Sequence, residues 1–336
     1  MEMKQQYYSE SGVGEAFTEY FSKIKKQVES ELSKFVLTIP QKGLKSKIEY
    51  AVLSGGKRFR PFLVILSSES VGGKPSKVMP LAIAFELMHT STLVHDDIID
   101  QDEMRRGQPS LYKKTSMSEA ILVGDALIAL SVSLASPFGE TILKDVAQSA
   151  LELCDGEGMD LLDSLKTTTE LVYFEKIRKK SASLCKSATY CGAIAGGGSP
   201  AEQLALAKFG ESLGIAYQLR DDMLDFTVNR DLINLKDISN GRVTLPLIYC
   251  YSHSTPDEKK EIEKLQALIG KDPSSASEKA SDIVQIVRRK GAFDYCERKV
   301  DEYITQAVTS VSVLKDTPYK AYLIEIAKTL RIWETA

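Results

Sequence analysis

The sequence predicts an all-α fold, and three observations lead there. Apolar residues recur at i, i+3 and i+4 along most of the 336 residues, runs that alternate apolar and polar residues are few, and glycine and proline fall between the periodic stretches. Helical spacing covers 14–36, 43–54, 59–70, 76–99, 117–135, 141–153, 170–195, 200–226, 243–252, 256–269, 274–290 and 292–313. Turns are expected at Gly72-Gly73-Lys74-Pro75, Arg106-Gly107-Gln108-Pro109, Ser136-Pro137-Phe138-Gly139, Gly196-Gly197-Gly198-Ser199-Pro200 and Ser254-Thr255-Pro256. None of these breaks is long enough for an interdomain linker, and there is no tandem repeat or low-complexity tract, so residues 1–336 read as one domain.

Composition narrows the functional classes. With 43% hydrophobic residues and a net charge of -3, the chain has the makings of a core and lacks the basic excess of a nucleic-acid binder. The start, MEMKQQYYSESGVGEAF, has no basic-then-apolar leader, and no apolar stretch reads as long enough to cross a bilayer, so a cytoplasmic protein without a transmembrane segment is expected. Cys154, Cys185, Cys191, Cys250 and Cys296 show no paired metal-ligand spacing and read as reduced thiols, mostly core filler.

One internal echo points to chemistry. His95-Asp96-Asp97-Ile98-Ile99-Asp100 and Arg220-Asp221-Asp222-Met223-Leu224-Asp225 share the order Asp-Asp-apolar-apolar-Asp. On a helix, residues four apart lie about 5–6 Å from each other, so Asp96 with Asp100, and Asp221 with Asp225, form pairs able to bracket a cation. Such pairs destabilise a helix unless something positive compensates them. Carboxylates without histidine or cysteine companions suit hard ions, and Mg²⁺ completes its shell with phosphate oxygens. A solvated acidic helix end explains one such cluster better than it explains two. The twelve-residue loop of an EF-hand, with its central glycine and terminal glutamate, is missing at both.

Cations stand nearby in sequence. Ser54-Gly55-Gly56-Lys57-Arg58-Phe59-Arg60-Pro61 sets three cations beside two glycines at a helix start, where backbone N–H groups favour anions. Arg105-Arg106-Gly107 adds two guanidiniums that can grip phosphate with two parallel bonds. His89 precedes Asp96 by two helical turns and is within reach of a second diphosphate, whereas His95 reads as a packing residue.

Together with Leu93-Val94-His95-Asp96-Asp97-Ile98-Ile99-Asp100 and Tyr217-Gln218-Leu219-Arg220-Asp221-Asp222-Met223-Leu224-Asp225, these motifs resemble those of the trans-polyprenyl diphosphate synthases. The likeness runs in order from about Leu53 to Pro246 and takes in Gly124-Asp125-Ala126-Leu127 and Gly241-Arg242-Val243-Thr244-Leu245-Pro246. It implies a bundle of long helices around a deep central cavity, a homodimer, and Mg²⁺ held between an allylic diphosphate and the two clusters, Asp96, Asp97 and Asp100 with Asp221, Asp222 and Asp225. Carried over by motif, Lys57, Arg60, His89 and Arg106 would hold isopentenyl diphosphate, and Arg105, Lys180 and Gln218 the allylic diphosphate. Ser181 stands where the family usually has threonine. The usual Gly-Lys is missing from the segment 228–237; Lys236, displaced in register, is the candidate substitute, and Arg242 replaces a later lysine.

The expected reaction is Mg²⁺-assisted ionisation of the allylic diphosphate, attack by isopentenyl diphosphate, and loss of a proton to the departing pyrophosphate. Five residues before the first aspartate the family carries an aromatic residue when products are short; here Ser91 and Thr92 leave the way open. Met88, Phe85 and Ala84 lie one or two turns deeper, and Phe85 is the preferred floor, which predicts a geranylgeranyl product or longer. Class I terpene cyclases would need a different downstream metal motif, and head-to-head synthases would lack the Gly-Gly-Lys-x-x-Arg cradle. The alternative from another class is a non-catalytic regulatory subunit of a heteromeric synthase.

Overall fold

The computed structural model describes residues 12–40, 42–224, 226, 228–229, 232–233, 242–269 and 276–332. Almost all of them are helical, as the periodicity predicts. They divide into two compact units: the described residues up to Ala150 with Leu184–Gly210 and Ser310–Glu325, and Leu151–Ser183 with the described residues of 211–309 and those from Ile326 onward.

The first unit opens with α1 (Gly12–Thr38), α2 (Lys42–Leu53), α3 (Phe59–Ser70) and α4 (Pro75–Ile99). A two-residue hairpin follows, β1 (Met104–Arg105) with β2 (Gln108–Pro109), then α5 (Leu111–Lys114) and α6 (Met117–Ala135). Its core is built on α3 and α4, because Phe62-Leu63-Val64-Ile65-Leu66 and Leu81-Ala82-Ile83-Ala84-Phe85 are apolar all round and buried all round. Glycine admits close neighbours at several points, Gly192 and Gly124 among them. A Cβ on Gly192 would overlap the Val64 carbonyl, and one on Gly124 would overlap the His95 ring, so His95 has the packing role expected of it.

α7 (Glu140–Leu161), α9 (Ser183–Ala195) and α10 (Pro200–Leu224) contribute residues to both units. The second unit adds α8 (Glu170–Ile177), a π-helical turn over Arg178–Ala182, the strands β3 (Val228–Asn229) and β4 (Leu232–Ile233), and α11 (Leu245–Ser252). It continues with α12 (Pro256–Ile269), α13 (Ala276–Arg289) and α14 (Ala292–Ser310). Ala292, Cys296, Val300, Ile304 and Ala307 form the buried stripe of α14 at helical spacing. The chain also forms α15 (Pro318–Thr329), which the sequence reading stopped short of. The five cysteines are free thiols, four of them buried, in keeping with their reading as core filler.

One sequence expectation is corrected. Met117–Phe138, 22 residues with mean hydropathy 1.8 over its most apolar stretch, is long and apolar enough to cross a membrane. The turn expected at Ser136-Pro137-Phe138-Gly139 is found there, as a 3-10 turn over Ser136–Phe138 closed by Gly139 at φ 97°, and its first three residues prolong the apolar stretch of α6. Only 28% of that stretch is buried within the chain, and Met117, Ile121, Leu122 and Val132 are exposed.

Candidate active site

α4 and α10 are built to one plan. Each spans 25 residues, each begins with proline, and in each the acidic cluster starts 21 residues later, at Asp96 and at Asp221. Both clusters therefore lie at helix carboxyl ends, where unpaired carbonyls already concentrate negative charge. The middle aspartates are the buried ones, Asp97 and Asp222, each 4% exposed. Both are tied by the protein. Asp97 accepts from Arg105 Nε at 2.8 Å and from a second guanidinium nitrogen of the same residue. Asp222 accepts from the Tyr173 hydroxyl at 2.6 Å and from Gln218 Nε2 at 2.7 Å. Asp96, Asp100 and Asp221 are more open to solvent, and Asp225 lies outside the described residues. Among the described residues, no three His, Cys, Asp or Glu side chains form a metal cage on their own.

In the first unit Arg60, Arg106 and His89, three of the predicted isopentenyl-side residues, lie within electrostatic reach of one another, and Lys57 is on the loop that leads to Arg60. Arg106, itself at φ 53°, reaches over the glycine pair and donates to the Gly55 carbonyl. A Cβ on Gly56 would lie 2.7 Å from Arg106 Nη2, and the φ of 131° there is one that side-chain-bearing residues rarely adopt. Arg58 departs from the cationic cradle. It is 4% exposed, sits in the left-handed region at φ 55° immediately before α3, and donates to Glu86 at 2.6 Å and to the Val52 carbonyl at 3.0 Å. A non-glycine residue held there costs on the order of 1–3 kcal/mol, and the pair fixes it in place because removing either partner would leave an uncompensated buried charge. Arg58 thus shapes the loop that carries exposed Lys57 and half-buried Arg60, and Arg60 Nε is buried without a protein partner.

His89 stands one turn beyond Glu86. Burial, and then the guanidiniums of Arg60, Arg106, Arg105 and Arg58, hold its pKa well below the usual histidine value, so it is neutral at pH 7. Arg105 shows the opposite balance: burial works against its charge, but Asp97 and Asp102 outweigh it and leave the guanidinium more basic than usual. Phe85, Met88 and Ser91, proposed as the tunnel wall, are buried on α4; Ser91 donates to the Met88 carbonyl at 2.7 Å and half-buried Thr92 to that of His89 at 2.8 Å.

Of the residues predicted on the allylic side, the second unit carries Lys180, Ser181 and Gln218, whereas Arg105 belongs to the first unit, against Asp97. Ser181 donates to Gln218 Oε1 at 2.6 Å, and Gln218 in turn donates to Asp222, so the four side chains Ser181, Gln218, Asp222 and Tyr173 form one chain of hydrogen bonds. Lys180 donates to Asp160 at 2.6 Å, and Arg242 stands 4.0 Å from the same carboxylate. Lys236 lies outside the described residues. Sequence reasoning missed Glu86, Tyr173 and Lys176. Glu86 carried a legible signal, a lone charge inside the apolar run 81–88 that must have a partner if buried. Lys176 carried none, being one cation among four between 176 and 180.

Comparison with known proteins identifies the family and the fold. A model of the polyprenyl synthetase family matches residues 41–287, and the chain belongs to that family. It is 34% identical over 289 residues to the short chain isoprenyl diphosphate synthase of Methanothermobacter thermautotrophicus, covering 83% of this chain and 87% of that protein. A geranylfarnesyl diphosphate synthase of Methanosarcina mazei is 38% identical over 236 residues, 70% of this chain and 78% of that one. The crystal structure of geranylgeranyl pyrophosphate synthetase from Pyrococcus horikoshii matches with a TM-score of 0.84 at 28% identity over 94% of this chain and 99% of that one. A polyprenyl synthase from Caulobacter crescentus, complexed with calcium and isoprenyl diphosphate, also matches with a TM-score of 0.84, at 25% identity over 94% and 96% of the two chains. The fold is the all-helical type I isoprenoid synthase fold.

The depressed pKa of His89 has a consequence for stability. Below about pH 6.5 the unfolded chain takes up a proton on this residue and the folded chain does not, so stability falls as pH falls, by up to about 1.4 kcal/mol per pH unit. In thermal melts between pH 7 and 5, His89→Gln is expected to lose less stability than the parent; an identical slope in both proteins would contradict the assignment.

Proposed function

We propose that this prenyltransferase condenses isopentenyl diphosphate head to tail with an allylic diphosphate, giving an all-trans product of geranylgeranyl length or longer. The observation that carries the reading is the pair of equal helices, each ending in the same acidic cluster with its middle aspartate tied down. Three neighbouring carboxylates at the negative end of a helix are held at a cost unless a cation joins them. Hard oxygen donors of this kind fit Mg²⁺: Asp96 and Asp100 are the residues that would hold it at the first cluster, and Asp221 with Asp225 those at the second. When bound, the ion supplies positive charge to the leaving diphosphate.

The chain's own residues do the rest. Lys57, Arg60, Arg106 and neutral His89 bind and orient isopentenyl diphosphate, the histidine as a hydrogen-bonding group that adds no charge. Lys180, Arg105 and Arg242 stabilise the charge that grows on the allylic diphosphate as its C–O bond breaks, and Gln218 with Ser181 fixes the orientation of Asp222. No protein base is assigned to the last step; the proton passes to the released pyrophosphate. The exposed apolar side of α6, Met117, Ile121, Leu122 and Val132, is the face on which we place a second copy of the chain.

Incubation of the purified chain alone with an allylic diphosphate, isopentenyl diphosphate and Mg²⁺, followed by chromatography of the dephosphorylated products, tests the reading directly. Asp96→Ala and Asp221→Ala are each expected to cut turnover by about 10²-fold or more; full activity in either removes the two-cluster mechanism. Phe85→Ala is expected to lengthen the product by at least one five-carbon unit, and an unchanged product would exclude Phe85 as the floor. Ile121→Arg is expected to yield monomers in light scattering, whereas an unaltered mass would place the dimer contact elsewhere.

A further inference from the structure

Asp160, in the second unit, collects three cations. Lys176 Nζ donates to Asp160 Oδ1 at 2.7 Å, to Asp163, and to the Val243 carbonyl oxygen at 3.2 Å. Lys180 Nζ donates to the other oxygen, Asp160 Oδ2, at 2.6 Å and lies 2.8 Å from Glu157. Arg242 Nε stands 4.0 Å from that same Oδ2. The two cations assigned to the allylic diphosphate in this unit, Lys180 and Arg242, therefore share one acid.

The backbone is arranged for this. Gly156 lets the Lys180 backbone approach α7, since a Cβ there would lie 2.8 Å from Lys180 Cα, and the π turn over Arg178–Ala182 carries Lys180 one turn beyond Lys176. The Lys176 side chain is 5% exposed. An ammonium has three protons to donate, and here Asp160, Asp163 and Val243 take them all. Such a group has no donor left for a substrate, so its effect must pass through the residues it holds.

We infer that Lys176 is a positioning residue for the diphosphate site, an inference that rests on the function proposed above. It neutralises Asp160, which leaves Lys180 exchangeable between that carboxylate and an incoming diphosphate. It also anchors Val243 and with it the adjoining Arg242. Loss of Lys176 acts in one direction at every point: Asp160 grips Lys180 more tightly, the site loses one positive charge, and the backbone beside Arg242 is released.

The test compares Lys176→Met with the parent in three readings: KM for the allylic diphosphate, KM for isopentenyl diphosphate, and calorimetric affinity for inorganic diphosphate. The allylic KM is expected to rise about tenfold and the diphosphate affinity to fall equally, at the low end of what outer-shell partners cost, with the isopentenyl KM unchanged. Adding Asp160→Asn to Lys176→Met is expected to restore most of the loss, because the competing carboxylate is gone. A structural role alone predicts the reverse, a double variant worse than the single one. That result, or an allylic KM unmoved in Lys176→Met, overturns the inference. Lys176→Gln gives the same readings should the methionine variant fail to fold. If the parent makes no prenyl product, the functional reading fails by itself, and diphosphate calorimetry on the same variants still decides the role of Lys176.

Discussion

The arrangement rests on an electrostatic liability: two helices that each end in clustered carboxylates, at the pole where the backbone is already negative. Nothing in folding alone favours this. An ordinary helix places lysine or arginine in its last turn, and neither α4 nor α10 does. The protein meets the liability locally by committing the inner aspartate of each cluster to its own donors. Arg105 serves Asp97, and Tyr173 with Gln218 serves Asp222. Asp96, Asp100 and Asp221 keep more open positions, which is the division of labour that cation binding needs.

The same economy holds for the positive side. Among the cationic residues of the proposed site, Arg105, Lys180 and Arg242 are found against carboxylates, Asp97 and Asp160. Asp160 illustrates the strength of such contacts: burial alone raises a carboxyl pKa, but Lys180 and Lys176 overcome it and hold this one down to about 2. In the proposed function, a diphosphate arriving at Lys180 and Arg242 would exchange one anionic partner for another instead of meeting solvated charges. The geometry of the cations is thereby fixed before substrate binds, and less reorganisation is left for the reaction itself.

How far the sequence could carry this is clear from particular residues. Periodicity located most helices, because a stripe such as that of α14 at Ala292, Cys296, Val300 and Ile304 is written in the chain at its own spacing. The acidic clusters were equally plain, since each is contiguous. Contacts between distant segments were not. That Arg58 turns inward to Glu86 depends on a left-handed backbone at a non-glycine residue, which no local pattern announces. Lys176 depends on the path of the chain from residue 160 to residue 243, and neither end of that contact marks the other.

The glycine pair and Arg58 show how backbone strain and charge are linked here. Gly55 and Gly56 take φ values of 89° and 131°, and Arg58 follows at 55°, so the loop before α3 is held almost wholly outside the regions that side-chain-bearing residues prefer. Glycine lowers that cost at two positions but also surrenders the stiffness that would keep the loop in place. Stiffness is returned from outside the loop: Arg106 lies on the glycines from the β1–β2 hairpin, and Glu86 holds Arg58 from α4. Since Glu86, His89 and Asp96 all belong to α4, one helix sets the loop, carries the neutral histidine and ends in the acidic cluster. Any shift along α4 would move all three together, which makes the helix the common ruler for the two ends of this half of the site.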